Sequence, residues 1–187
     1  MGRAGAVSAP QKSRAVFARD RFRAGPGCGI ISNAALSGAM RKDEFAMMIR
    51  IRPATPDDAR ELIDMNREFN GVDDLDEEQV RAELAGGAEQ VFVADAGERL
   101  AGYCCVQRYK SFCYRKGIAE LTELYVREEF RHKGLASRMI TAHVDALRAQ
   151  GVGELEVITA AANAGGHAVY RANGFRDEDW ACLSRKL

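Results

Sequence analysis

Long apolar runs are missing from this chain: no window approaches the run of about 18 apolar residues that a membrane span needs. Net charge is missing too, because 27 Lys/Arg balance 27 Asp/Glu. The balance is uneven. Residues 1–46 hold eight Lys/Arg against three Asp/Glu, a net of +5, which leaves residues 47–187 with 19 against 24, a net of −5. An acidic body argues against nucleic-acid binding and suits a cationic partner. There is no C-x-x-C pair. The five cysteines stand at 28, 104, 105, 113 and 182, an odd count without metal-ligand spacing. That excludes a zinc site and a disulfide framework, so no metal is expected, and it fits a reducing, cytoplasmic setting. Adjacent Cys104 and Cys105 on a strand point to opposite faces as small core residues. Neither G-x-x-x-x-G-K-[ST] nor G-x-G-x-x-G occurs, so the two commonest glycine-rich phosphate loops are absent.

What is present falls into two parts. Residues 1–46 are rich in Ala, Gly, Ser and Arg, without sustained period and broken by Pro10 and Gly25-Pro26-Gly27. They read as a disordered basic extension, with an Arg-rich organellar leader as the rival reading. Regular patterning begins at Met48, and residues 48–187 read as one domain. MIRIRPA alternates as a strand; Thr55-Pro56-Asp57-Asp58 starts a helix. DDLDEEQVRAELAGG predicts a second helix. QVFVADAGERLAGYCCVQRY predicts two antiparallel strands about a turn at Asp95–Glu98, and AELTELYV a further strand. Residues 134–150 form an amphipathic helix, ELEVIT a strand, NAGGHAVYRAN a short helix, and a last strand takes in Trp180–Leu183. The order β-α-α-β-β-β-α-β-α-β describes an α/β sheet with helices on its faces.

The stretch FRHKGLAS sits between a strand and a helix. The first N–H groups of a helix have no intrahelical acceptor and carry its positive end. Gly134 lets the backbone approach an anion closely, and Ala136 is too small to obstruct it. Arg131, His132 and Lys133 add positive potential where cations oppose the helix dipole, so a bound anion explains them better than helix stability does.

Arg131-His132-Lys133-Gly134-Leu135-Ala136 matches [QR]-x-x-G-x-[GA], and here the chain resembles the GNAT N-acetyltransferase superfamily. LYVREEFRHKGLASRMI resembles its acetyl-CoA strand–loop–helix, NAGGHAVYRANGF its N-x-x-A-x-x-x-Y-x-x-x-G-F, and MIRIRPATPDDAREL its opening strand and helix. The resemblance covers residues 48–187. It implies a mixed, mostly antiparallel sheet with helices on both faces, and acetyl-CoA as acetyl donor. Amides of His132, Lys133, Gly134, Leu135, Ala136 and Ser137 would hold the pyrophosphate. Backbone groups of Leu124, Tyr125 and Val126 would line the pantetheine arm, with Asn163 bonding that arm. An amide of Leu124 or Tyr125 would polarise the thioester carbonyl. Tyr170 would protonate the departing thiolate. One departure is Gly166, where the family favours Ala; it is expected to loosen that helix.

Two carboxylates qualify as the base that relieves the amine of its proton, directly or through a water, with Glu120 favoured over Glu123. Glu120 matches the base of the histone-acetylating branch. Glu123 opens Glu123-Leu124-Tyr125-Val126, which matches an acid of the small-amine and aminoglycoside branches. On a regular strand the two face opposite ways. Thr122 stands where diamine acetyltransferases keep an acid, which counts against a diamine acceptor. Asp73, Asp74, Asp76, Glu77 and Glu78 read as a helix cap and acidic first turn, with steering of a cationic amine as the alternative. The expected function is direct acetyl transfer, in a ternary complex, to a primary amine of a small cationic molecule, with no nucleic-acid or membrane partner and with a homodimer admitted by the resemblance. The rivals are a protein Nα- or lysine acetyltransferase and a non-catalytic acyl-CoA-binding module.

Overall fold

The computed structural model describes residues 48–72, 74–179 and 181–186; the expectations for residues 1–46, Asp73 and Trp180 lie outside them. Strand β1 (Arg50–Pro53) leads into a 3-10 turn, Pro56–Asp58, and then helix α1 (Ala59–Asn70). The Asp58 carboxylate reaches back to accept the Thr55 N–H at 2.7 Å, the capping geometry that T-P-D-D foretells. Arg52 clamps the same carboxylate with two bonds of 2.8 Å and places its Nε 2.7 Å from Asp95. One guanidinium thus ties β1 and the helix start to the end of strand β2 (Glu89–Asp95). Between them lies helix α2 (Glu77–Gly86), capped by Asp76, whose carboxylate accepts the Gln79 N–H at 2.8 Å. Glu77 in its first turn bonds Arg81. Those acids serve the helix, as their residue types at an N-terminus predict.

Strands β3 (Leu100–Tyr109), β4 (Gly117–Val126) and β5 (Val152–Val157) complete a sheet of order β1-β2-β3-β4-β5. The first four run antiparallel; β5 lies parallel to β4, with helix α3 (Leu135–Ala149) as the crossover, and helix α4 (Ala164–Ala172) follows β5. Helices cover both faces. On one side α3 and α4 pack Met139, Ile140 and Tyr170 against Cys104, Val106, Leu121 and Leu124. On the other, Leu62 and Met65 of α1 pack against Val93, Tyr103 and Cys105. Cys104 and Cys105 fall in opposite clusters, as strand alternation requires. Arg127, 6% exposed, bonds Glu61 at 2.7 Å, Glu68 at 3.2 Å and the Leu100 carbonyl at 2.8 Å, which fixes α1 over β3 and β4. Among the described residues no helix is long and apolar enough to cross a membrane.

Two expectations change. Residues 181–186 carry no strand and are exposed, Leu183 at 89%. A short apolar run has no commitment to strand geometry unless a neighbouring edge and burial fix it. The second change is in β4. Cys105 pairs with Glu123, but Val106 pairs with Leu121, so Thr122 is the extra residue of a β-bulge.

Candidate active site

The bulge decides which way the two candidate bases face. Residues directly opposite on paired strands share a face. Glu123 pairs with Cys105 and Glu120 with Gln107, two residues along β3, so both carboxylates lie on the α1 side of the sheet. The expectation that they face opposite ways fails because the bulge inserts one residue between them. Glu123 lines a cleft of ≈ 550 Å³ between that face and helices α1 and α2. It is buried, its Oε2 has no hydrogen-bond partner, and burial raises its carboxyl to about 7, with Asn70 opposing the shift and Glu89 adding to it. Glu120 is half-buried in the next row outward.

The sequence gives no sign of two further residues at this cleft. Tyr103 lines it with a buried, unpartnered hydroxyl, and burial pushes its phenol well above the ordinary range. Glu89 lines it at the start of β2 and accepts the Thr122 hydroxyl at 2.9 Å. Only strand register brings them to Glu123; a period-two reading of each strand, followed by a guess at pairing, is the nearest available signal.

On the far side of β4 the strands splay. The β4–β5 ladder ends at Leu121 and Val157, while β4 runs on to Val126. Arg127, opposite Ala101, gives its N–H to the Ala101 carbonyl at 2.9 Å. By the alternation of an antiparallel ladder, Tyr125 also turns its N–H and C=O to β3, whereas Leu124 and Val126 turn theirs to the open side. The Tyr125 side chain stacks on Phe69 at 5.0 Å and bonds Glu68 at 3.1 Å. The open edge of β4 therefore presents Leu124 and Val126, and the Val126 carbonyl accepts from Arg131 Nε at 3.0 Å.

At the end of β4 the loop curls into α3. His132 (φ 59) and Gly134 (φ 72) are both left-handed, and alternating hand turns successive amides into one concavity. Arg138 is the first amide to bond back, to Gly134 O at 3.0 Å, so the N–H groups of Leu135, Ala136 and Ser137 project from the helix start. Among the described residues, and apart from its chain neighbours, nothing lies within 4 Å of where a Gly134 Cβ would stand. Glycine is needed there for its φ, and the space before it is open to an anion. Of the cations, Lys133 bonds the Glu129 carbonyl at 2.8 Å and lies 5.1 Å over the Phe130 ring. With Arg131 on Val126, two of the three basic residues shape the loop while adding to its potential; His132 is exposed.

Tyr170 of α4 is buried, 5.6 Å from the Phe175 ring, and its hydroxyl has no partner. Burial first, then nearby Cys104 and Glu123, push its phenol above the ordinary range. An unpartnered buried phenol and an open backbone edge both suit the thioester end of acetyl-CoA. Asn163 caps α4: its Oδ1 accepts the Gly166 N–H at 3.0 Å and its Nδ2 donates to Thr159 at 2.9 Å. Gly166 makes this cap possible, since a Cβ there would lie 2.3 Å from Asn163 Nδ2. The departure expected to loosen the helix is what seats its cap. Ser137 accepts from Asn173 Nδ2 at 2.9 Å, joining α3 to α4.

The model of the acetyltransferase (GNAT) family matches residues 58–175. No curated protein matches the chain. Among solved structures, the chain is similar to an aminoglycoside acetyltransferase from an uncultured soil metagenomic sample, in complex with sisomicin. The TM-score is 0.69 at 18% identity, over 77% of this chain and 99% of that one. It is also similar to the aminoglycoside acetyltransferase AAC(6')-Iy in complex with a bisubstrate analogue, CoA-S-monomethyl-acetylneamine (0.65, 20%, 74% and 98%). A third is the ribosomal-protein-alanine N-acetyltransferase of Brucella melitensis biovar Abortus 2308 (0.64, 16%, 74% and 100%). These likenesses agree on the fold, and the matched segment spans the bulged strand, the helix-start concavity and the Tyr170 helix. The chain belongs to the GNAT acetyltransferase family, and acetyl-CoA is its co-substrate.

Proposed function

We propose that the chain acetylates a primary amine of a small cationic molecule by direct transfer in a ternary complex, with Glu123 as base and Tyr170 as acid. The observation that carries this reading is Glu123: a buried carboxylate with one unpartnered oxygen, facing an acceptor cleft and titrating near neutrality. A base poised there accepts a proton from an alkylammonium, whose ordinary pKa lies near 10.4, as the nitrogen engages the thioester. Leu124 directs its amide to the open side, where it can polarise the thioester carbonyl. The amides of Leu135, Ala136 and Ser137 hold the pyrophosphate, and acetyl-CoA supplies the acyl group. Tyr170 then gives its proton to the departing thiolate. Cys104 and Cys105 take no part: burial holds their thiols above the ordinary range, which opposes nucleophilic use.

The test is release of free CoA across a panel of amines, aminoglycosides, amino acids and peptides. Turnover confined to small cationic amines is expected. Turnover confined to peptides would overturn the acceptor class, and CoA binding with no turnover would overturn the assignment of Glu123 and Tyr170.

A further inference from the structure

Among the described residues that line the cleft between the sheet and helices α1 and α2, Tyr103 (4% exposed) and Glu123 (9%) are the two that hold a buried polar atom without a partner. Cys105 stands opposite Glu123 and two residues after Tyr103, so Tyr103 and Glu123 are diagonal neighbours on one face of the sheet. Such neighbours lie about 7–8 Å apart, within reach of long and aromatic side chains. Neither the Tyr103 hydroxyl nor Glu123 Oε2 has a partner, so they do not bond each other.

Tyr103 is held in place. It shares a core cluster with Leu62, Met65 and Val93, and its ring lies 6.0 Å from that of Tyr125, which is itself stacked on Phe69. A buried tyrosine ordinarily sets its hydroxyl on a protein group, and one left without costs stability that phenylalanine of nearly the same shape would not. A hydroxyl kept in that state calls for a ligand that pairs it. Burial holds the phenol well above its ordinary range, so the group is neutral and offers a lone pair and one proton.

Tyr103 does not duplicate Tyr170. It packs in the cluster under α1 and Tyr170 in the one under α3 and α4, on opposite faces of the sheet. Around the pair the cleft wall is largely apolar, with Ile63 of α1 and Val80 and Leu84 of α2, while Glu89 and Arg108 of the lining have opposite signs. An amine brought to Glu123 therefore has the Tyr103 hydroxyl as its second buried polar partner.

We infer that the Tyr103 hydroxyl is the second contact of the acceptor nitrogen: it accepts one N–H hydrogen bond while Glu123 Oε2 takes the proton that the ammonium loses. The inference rests on the reading of Glu123 as base. A primary ammonium has three N–H bonds. One proton passes to the carboxylate, and the electron pair of that bond stays on nitrogen to attack the thioester carbon. The N–H on Tyr103 stays intact, and its hydrogen bond limits rotation of the nitrogen during the attack.

The test follows CoA release by the full chain with butylamine, sisomicin, alanine and an alanyl peptide, for wild type, Tyr103→Phe, Glu123→Gln and the double variant. Tyr103→Phe is expected to lower kcat/KM for the acceptor about tenfold to a hundredfold, the worth of one hydrogen bond to a charged group. The KM for acetyl-CoA should not change, and Tm should hold or rise, because no bond to a described residue is lost. In wild type and Tyr103→Phe alike, acceptor kcat/KM should rise along a limb near pH 7, where the Glu123 carboxyl titrates; Glu123→Gln should lack it. In the double variant the two losses should fall short of their product, because both groups hold one atom.

Unchanged acceptor kinetics in Tyr103→Phe, or losses that multiply in the double variant, overturn the inference and leave Glu123 as base. A limb moved above 7 in Tyr103→Phe overturns it as well, since the hydroxyl then serves the carboxylate rather than the amine. A lowered Tm or a raised KM for acetyl-CoA overturns it by giving Tyr103 a structural role. A limb that survives in Glu123→Gln, or no CoA release with any acceptor, sinks the base assignment and the inference with it.

Discussion

Glu120 and Glu123 stand three residues apart on β4 and face the same way, because Thr122 is looped out between Leu121 and Glu123. A strand of even pleat would have put one of them under α3 and α4. The bulge instead puts both on the α1 face of the sheet, with Glu123 buried in the cleft and Glu120 half-buried beyond it.

Glu123→Gln is expected to lower turnover about a hundredfold or more while leaving acetyl-CoA affinity intact. In the wild type, kcat/KM for the acceptor should rise with pH along a limb near 7, where the carboxyl titrates. The variant should lack that limb. A limb that persists in the variant assigns it to another group.

The same substitution should stabilise the fold. Burial raises the folded carboxyl of Glu123 from 4.5 to about 7. Between those values the unfolded chain has released a proton that the folded chain still holds, so stability falls as pH rises and the penalty is complete above about 7. With solvent screening at the cleft taken into account, Glu123→Gln should gain about 1–2 kcal/mol at pH 8 and little at pH 4. Denaturant melts at the two pH values measure it; equal gains at both would contradict the origin in ionisation.

Tyr170→Phe should lower kcat by about tenfold to a hundredfold without weakening acetyl-CoA binding. The hydroxyl has no partner among the described residues, so its removal breaks no hydrogen bond with them. Stability should hold or rise. Unchanged turnover would remove the acid role.

Gly166→Ala reverses the usual rule that alanine strengthens a helix. The new Cβ would stand 2.3 Å from Asn163 Nδ2 and 3.0 Å from its Oδ1, expelling the cap of α4. Loss of an N-cap costs about 1 kcal/mol, more than the propensity gain at a first-turn site. A lowered Tm is expected. A raised one would mean that Asn163 is not held as a cap.

His143 makes the fold acid-sensitive. It is wholly buried in α3, with Nε2 3.0 Å from the Cys104 carbonyl and Nδ1 unpartnered, and burial lowers its pKa from 6.5 to about 4. The unfolded chain takes up a proton below 6.5 that the folded chain refuses until about 4. Stability therefore falls by up to about 3 kcal/mol as pH drops through that window. His143→Gln should flatten this part of the stability–pH profile. A slope as steep as wild type would assign the protons elsewhere.

Much of the fold was legible locally. T-P-D-D at a helix start, glycines after helix ends, and alternation through Tyr103-Cys104-Cys105 are instructions that act within a few residues. The R-x-x-G-x-A loop and the Asn163-to-Tyr170 spacing are also local, so the family motif could be read directly from them. Three features were not legible. The strand read at 180–183 needs a neighbouring edge, and residues 181–186 remain exposed without one. Gly166 looked like a weak point in a helix and proved to be room for a cap. Arg131 and Lys133 read as charge aimed at a ligand, and only the structure adds that they also bond the backbone carbonyls of Val126, at the end of β4, and of Glu129.

The sequence by itself determined the element order as far as α4, the glycine-bearing helix start and the family motif, because each depends on neighbours along the chain. Only the tertiary structure decided where the carboxylates of the sheet stand. Which face Glu123 takes depends on a bulge defined against β3, and the meeting of Glu89, Glu120 and Glu156 depends on register across four strands. Register is fixed by burial of the whole sheet, and no single strand carries it.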